Sequence, residues 1–581
     1  MKVPWTDATA AACGIDALRR ALAPGCGFGR SALERRRAFA PGDEPAALAA
    51  MARVLEVARS VPVDRLERLR EAIAGAPDPL PIVARAGAGE VLSDADFFDL
   101  VRFGDALAAI AAPARDAVLD VPRIDAKLAA ALAPGRVGGA TFYLDDAFEH
   151  GLASARGDAA RRQAEYDAAR SRLSGRVAGL VGLSSVREGE FVVMRDALPA
   201  PLPEGLRVLR EAPTYVLCEL ALDSGTLAAL AARDAAVAAV AVAEERVRER
   251  LSAQAAAAAA TLARTCERLG ELDLLAAAAL FAARNACVLP ELAPGGGVAF
   301  AEARFPPLVE RLAERGRRYV PISLDLDGIG VVTGPNMGGK TAALRTLGFL
   351  AACAVLGVPV PARSARLPLF AEIAWLGIAL RQSPGDQSRS PGDQSRSPGD
   401  QSQSHGDEGP VMLSLSKHGL VEADAGAGLL SAFGSEVVEL RDLLRRMDAP
   451  GANRPSLVLI DEFAQTTSPP EGRALLVALL QTLRERDAVA LAATHFGGVA
   501  AAAGVARFAI GGSVRRLPTA NGAPVPLDVA LARIANGMNY ALERRDDDEP
   551  APSGAFALAT ELGLDAALVV RAEAALRAQP G

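Results

Sequence analysis

Three short apolar runs in the second half of the chain, Ile329–Thr333, Leu457–Ile460 and Val489–Ala493, each lead directly into polar chemistry, with stretches of helical character between them. That alternation is the pattern of a parallel sheet with crossover helices. It also restricts what the loops at the strand ends can be. The first run passes straight into Gly334-Pro335-Asn336-Met337-Gly338-Gly339-Lys340-Thr341 and then into an apolar helical stretch. The spacing is G-x-x-x-x-G-K-[ST], the Walker A pattern, in the strand–loop–helix setting that it requires. Its glycines let backbone N–H groups converge on phosphates at the N-terminus of a helix. Lys340 is expected to neutralise the β and γ phosphates of ATP, and Thr341 to ligate Mg2+. Composition sharpens the point. Only four of the 63 basic residues are lysine (Lys2, Lys127, Lys340, Lys417), and Ala, Gly and Pro are abundant, as in G+C-rich coding, so a lysine at this position stands out.

The second run ends in Asp461-Glu462, a Walker B arrangement. Asp461 at the strand tip is expected to hold Mg2+ through water, and Glu462 to polarise the attacking water. A solvated acidic pair after a buried strand is the blander alternative, and the phosphate loop upstream weighs against it. The third run is followed by Thr494 and His495, and His495 is placed to sense the γ-phosphate.

The 581 residues carry 63 basic and 70 acidic side chains, a formal net charge of -7. That excludes a polybasic chain whose whole surface attracts phosphate. Six scattered cysteines without a C-x-x-C pair argue against a zinc ribbon or a disulfide framework and suit a reducing compartment. No signal peptide is apparent, and the uncharged run 347–362 is shorter than the ~20 residues of a membrane span. The chain is expected to be soluble and cytoplasmic, without a membrane partner.

The first ~135 residues read as helices broken by Pro and Gly, and 152–175 as a further charged helix. Residues 185–218 carry Val, Phe and Tyr in short runs, a small β element. Residues 226–269 lack Gly and Pro and read either as one helix, about 66 Å long, or as two joined helices. SPGDQSR occurs at 383–389 and 390–396 and SPGDQSQ at 397–403, a repeat too polar to bury a core and expected to be a disordered surface loop. His405 and His418 belong to that region and are not read as metal ligands. The β element is charge-balanced: Arg187, Arg195, Arg207 and Arg210 face Glu188, Glu190, Asp196, Glu204 and Glu211. Arg30, Arg35, Arg36 and Arg37 form a basic cluster elsewhere.

TGPNMGGKT, LVLIDEF followed by TSPPEG, and ATHF together resemble the ATPase domain of the MutS family of DNA mismatch-repair proteins. The similarity is strong over about 300–581 and weaker over about 10–300. It implies an α/β P-loop (ABC-type) ATPase domain at 301–581, with a low-complexity insert at about 382–420 and a C-terminal helical dimerisation segment. A mainly α-helical core at 1–135 would precede it, with a lever and a shortened clamp bearing a small β tip at 136–300. The segment Leu430–Glu436 resembles one that reaches the nucleotide of the opposite subunit, which makes Ser431 a contact in trans. Tyr319 sits where the family carries an aromatic that stacks on adenine. A homodimer with composite ATP sites is implied.

Departures accompany the resemblance. The family's usual Gly-Arg-Gly-Thr after the acidic pair is Ala464-Gln465-Thr466-Thr467, and Ala432 replaces a Thr. On that resemblance, the chain is expected to lack the N-terminal mismatch-reading domain and a nuclease-like domain after the ATPase. The expected function is therefore a DNA-binding ATPase clamp in repair or recombination that does not read mismatches. The alternatives are an ATP-driven remodeller of a protein partner, such as a metabolic enzyme, and a nucleotide-gated scaffold with little turnover.

Overall fold

The computed structural model describes residues 3–112, 118–137, 141–186, 189–295, 297–334, 339–377, 432–449, 455–510, 542–545, 556, 559 and 564–577. The repeat insert, Ser431, residues 335–338 and most of the stretch 511–563 lie outside them. The chain forms two compact units. One comprises Met1–Ala23, Leu33–Leu66 and Leu275–Gly581, the other Pro24–Ala32 and Glu67–Leu274.

The second unit is mainly helical. Its helix Asp94–Ala111 opens with a capping box between Ser93 and Asp96, which satisfies two N–H groups that a helix end leaves unpaired. Buried Asp273 accepts from the backbone of Gly25 at 2.8 Å and of Cys26 at 3.1 Å, so a carboxylate deep in the unit is held by main-chain donors. The β element is a three-stranded antiparallel sheet of Glu190–Met194, Tyr215–Leu220 and Leu206–Glu211, in that order. Val193, Val216 and Cys218 bury one face of it against Leu173 and Val177 of the helix His150–Leu180. The other face presents Val192, Met194 and Tyr215 to solvent. Two of its arginines are paired, Arg195 with Glu211 at 2.8 Å and Arg207 with Glu219.

Ser224–Arg284 is a single helix of 61 residues, about 90 Å at 1.5 Å per residue, so the one-helix alternative holds. Alanine, the strongest helix former, sustains it. The helix contains an 18-residue window of mean hydropathy 1.6, long and apolar enough by length and composition to cross a membrane. Only 17% of that window is buried.

In the first unit, five parallel strands and one antiparallel edge strand form a sheet in the order Glu372–Gly377, Ser456–Asp461, Val489–Ala493, Ile329–Thr333, Ala506–Ile510 and Leu542–Arg545. The three apolar runs are thus adjacent central strands. Their residues are buried on both sides, as parallel strands between helices require. On one face the helices Ala432–Met447 and Pro469–Glu485 place Leu443, Leu476 and Leu480 against Val458, Ile460 and Val331. The helix Lys340–Val355, buried along almost its whole length, covers the opposite face, where a Cβ on Gly348 would stand 2.7 Å from Leu459 and 2.5 Å from the Cys13 sulfur. The N-terminal segment closes the exposed sheet edge: Ile373 N–H donates to Pro4 O at 2.7 Å and Trp375 N–H to Thr9 Oγ1 at 3.2 Å. Capping an edge strand in this way withholds its free backbone groups from other chains. A second, four-stranded mixed sheet includes Gly297–Ala303, Ile322–Asp327 and Ser364–Leu367. The arrangement is compatible with an α/β ATPase domain.

All six cysteines are buried free thiols. Burial pushes the thiols of Cys13 and Cys266 up to about 12, far from the reactive range.

Candidate active site

In an open α/β sheet, ligands bind beyond the carboxyl ends of the parallel strands. Here the carboxyl ends of three adjacent strands deliver Gly334, Asp461 with Glu462, and Thr494 with His495 to that edge. Register makes the approach close. Asp461 pairs with Gly377 on one side and with Ala493 on the other, and Glu462 N–H donates to Ala493 O at 2.9 Å.

Gly334 (φ +146°) and Gly339 (φ +95°) take backbone conformations closed to most side chains. Gly339 caps the helix that begins at Lys340. The rest of the expected loop (Pro335, Asn336, Met337, Gly338) lies outside the described residues. Lys340 is 3% exposed; its Nζ donates to Gly334 O at 2.8 Å and stands 3.6 Å from Glu462 Oε1. Burial lowers the ammonium's pKa, and the carboxylates of Glu462 and Asp461 oppose that shift. Thr341 Oγ1 donates to Asp461 Oδ1 at 3.1 Å. Burial raises Asp461 as well, countered first by the Thr341 hydroxyl, while Glu462 adds to the rise. The site therefore gathers a buried cation, the largely buried Asp461 carboxylate and, beside them, the partly exposed Glu462. A polyanion brought in with a divalent cation would relieve that arrangement on both signs.

His495 is exposed, and its ring lies 4.4 Å from that of Phe496. Tyr319 is half-buried; its hydroxyl sits against Thr346 and the backbone of Phe305 without a well-aligned hydrogen bond, and burial raises its pKa. Thr346 belongs to the helix that starts at Lys340, which puts Tyr319 beside that helix. Ser431 lies outside the described residues, so its contact in trans has no counterpart here. Lys340, Thr341, Asp461 and Glu462 are brought together directly.

Three residues outside the set of predicted site residues support this group. Gly377 (φ +129°) ends the strand beside Asp461, where a Cβ would fall 2.1 Å from Asp461 O. Glu436, 5% exposed, accepts from Ala464 N–H at 2.9 Å through Oε2, while its buried Oε1 has no hydrogen-bond partner among the described residues. Gln465 donates from its side-chain amide to Glu462 Oε2. Glu436 and Gln465 fall within segments that the sequence resemblance already singles out, whereas Gly377 does not. Among the described residues no group of three or more His, Cys, Asp or Glu side chains could hold a metal.

Curated relatives share this chain's sequence over roughly half its length. "Endonuclease MutS2" of Geobacillus kaustophilus is 30% identical over 321 residues, 55% of this chain and 32% of the relative. The protein of the same name from Clostridium tetani is 26% identical over 333 residues, 57% of this chain and 33% of the relative. That from an Anaeromyxobacter species is 29% identical over 354 residues, 59% and 36% respectively. The chain spans about a third of the length of these relatives. No protein-family model matches it.

Proposed function

We propose that this chain, a relative of the MutS family, is an ATP hydrolase whose turnover serves DNA repair or recombination. The observation that carries the reading is the convergence of Lys340, Thr341, Asp461 and Glu462 at the carboxyl ends of neighbouring parallel strands, with Thr341 on Asp461 and Lys340 facing Glu462. The relatives' name supports the DNA-directed part. Their endonuclease activity belongs to proteins about three times the matched length, and no residue set in this chain is assigned to it.

The donor set fits Mg2+: Thr341 Oγ1 and the Asp461 carboxylate offer oxygen only, already within hydrogen-bond distance of each other. Bound there with ATP, Mg2+ would neutralise charge on the β and γ phosphate oxygens. Gly334, Gly339 and the intervening residues would wrap the phosphates with backbone N–H groups. Lys340 would exchange Gly334 O and Glu462 for phosphate oxygens. Glu462 would take a proton from water as the water oxygen bonds to the γ-phosphorus; the bridging P–O bond breaks, and its electron pair stays on ADP. His495 would contact the γ-phosphate, Tyr319 the adenine, and Ser431 the nucleotide of a second copy in a homodimer.

A second reading, ATP-driven action on a protein partner, is favoured by one observation. Two arginines of the β tip, Arg195 and Arg207, are paired with carboxylates, and the tip exposes Val192, Met194 and Tyr215, a surface better matched to a protein than to phosphate. Both readings share the ATPase. Phosphate release by the purified full chain, with and without Mg2+, tests it. Lys340→Ala is expected to reduce turnover by about 100-fold or more, because the buried phosphate-facing charge is gone. Unchanged turnover would refute the assignment of this site.

A further inference from the structure

Glu462 (φ +56°) and Ala464 (φ +61°) both adopt left-handed backbone, unusual for residues with a Cβ. Such strain persists where surrounding structure over-determines it, often at functional sites. Here the determinants are visible. Phe463 between them is 2% exposed and anchored in the core. Ala464 N–H is held by buried Glu436. The lack of a side chain at Gly472 lets the next helix approach Ala464 O, where a Cβ would stand at 2.9 Å. The coiled turn that results brings the Gln465 amide back onto the Glu462 carboxylate three residues earlier.

Glu462 thus has two partners, one per oxygen: Lys340 near Oε1 and Gln465 on Oε2. Lys340 is the group that nucleotide phosphates would claim, so Gln465 is the partner Glu462 would retain once ATP is bound. We propose that Gln465 is a positioning residue that fixes the Glu462 carboxylate toward the attacking water during hydrolysis. The inference rests on the reading of Glu462 as the water-polarising base. An unheld glutamate has three rotatable bonds, and the loss of orientation lowers the rate of the chemical step rather than nucleotide affinity. By the resemblance noted above, the family carries arginine here, a different side chain that is also an N–H donor.

The experiment is steady-state ATP turnover of the full chain with Mg2+, comparing Gln465→Met, Gln465→Arg, Glu462→Gln and the double variant Glu462→Gln/Gln465→Met. Methionine keeps the length and volume and removes the donor. Gln465→Met is expected to lower kcat about tenfold with KM for ATP within about twofold of wild type. Gln465→Arg is expected to restore most of the lost kcat. The double variant is expected to be no slower than Glu462→Gln, since Gln465 acts only through that carboxylate. If Gln465→Met is too unstable to assay, Gln465→Asn, whose amide is one methylene short, should show the same loss. An unchanged kcat in Gln465→Met, or a double variant slower than Glu462→Gln by the full Gln465→Met factor, would overturn the proposal while leaving Glu462 as the base. Wild-type turnover in Glu462→Gln would instead remove the base itself, and this inference with it.

Discussion

Glu436 shows how one buried side chain couples local backbone to stability. Burial raises its carboxyl pKa against the opposing Ala464 N–H, and the neighbouring Glu439 is raised by burial and by Glu436. An acid whose pKa is higher folded than unfolded binds its proton more tightly in the folded state, so stability rises as pH falls through the window between the raised and the ordinary carboxylate value. Above that window the ionised group costs stability. Glu436→Gln keeps an oxygen for Ala464 N–H and removes the charge. It is expected to raise Tm by about 1–2 °C at neutral pH, with the gain vanishing below the window. A difference independent of pH, followed by thermal unfolding, would show that the charge is not the cause. Gly377 gives a steric counterpart. Gly377→Ala adds a Cβ 2.1 Å from Asp461 O at a φ of +129°, and is expected to cost about 2 kcal/mol or more and to lower ATP turnover with it. Stability and turnover both at wild-type level would contradict that close approach.

At the scale of elements, much was legible because burial writes a strong pattern. Strands enclosed by helices on both faces have to be apolar throughout, so Ile329–Thr333, Ser456–Asp461 and Val489–Ala493 could be recognised without a structure. The alanine-rich stretch declared a helix, though only the structure settles that it runs unbroken over 61 residues. The supporting contacts were not legible, since they join residues far apart in sequence: Glu436 with Ala464, Gly377 with Asp461, Pro4 with Ile373. Nothing in single-residue propensity encodes such a meeting. The turn at 462–465 could not be read either, because an alanine with left-handed φ contradicts the usual preference and is imposed by tertiary contacts. The N-terminal helices likewise divide between the two compact units, a partition that composition does not reveal.

At the scale of the whole molecule, the net charge of -7 and the pairing of Arg195 and Arg207 at the β tip bear on what the proposed ATP hydrolysis would serve. A DNA-directed role requires phosphate contacts somewhere on the chain. Binding to duplex, branched or single-stranded DNA is then expected to weaken steeply with salt, the log–log slope reporting the number of phosphates neutralised. Absence of binding even at low salt would contradict the DNA reading and favour the protein partner suggested by the exposed Val192, Met194 and Tyr215. Either role depends on chemistry at one place, and that chemistry can be isolated. The most direct measurement is ATP hydrolysis and ATP binding by the full chain carrying Glu462→Gln. The expected result is retained Mg2+-dependent ATP binding with hydrolysis reduced by about 100-fold or more. Hydrolysis at the wild-type rate would contradict the account at its centre.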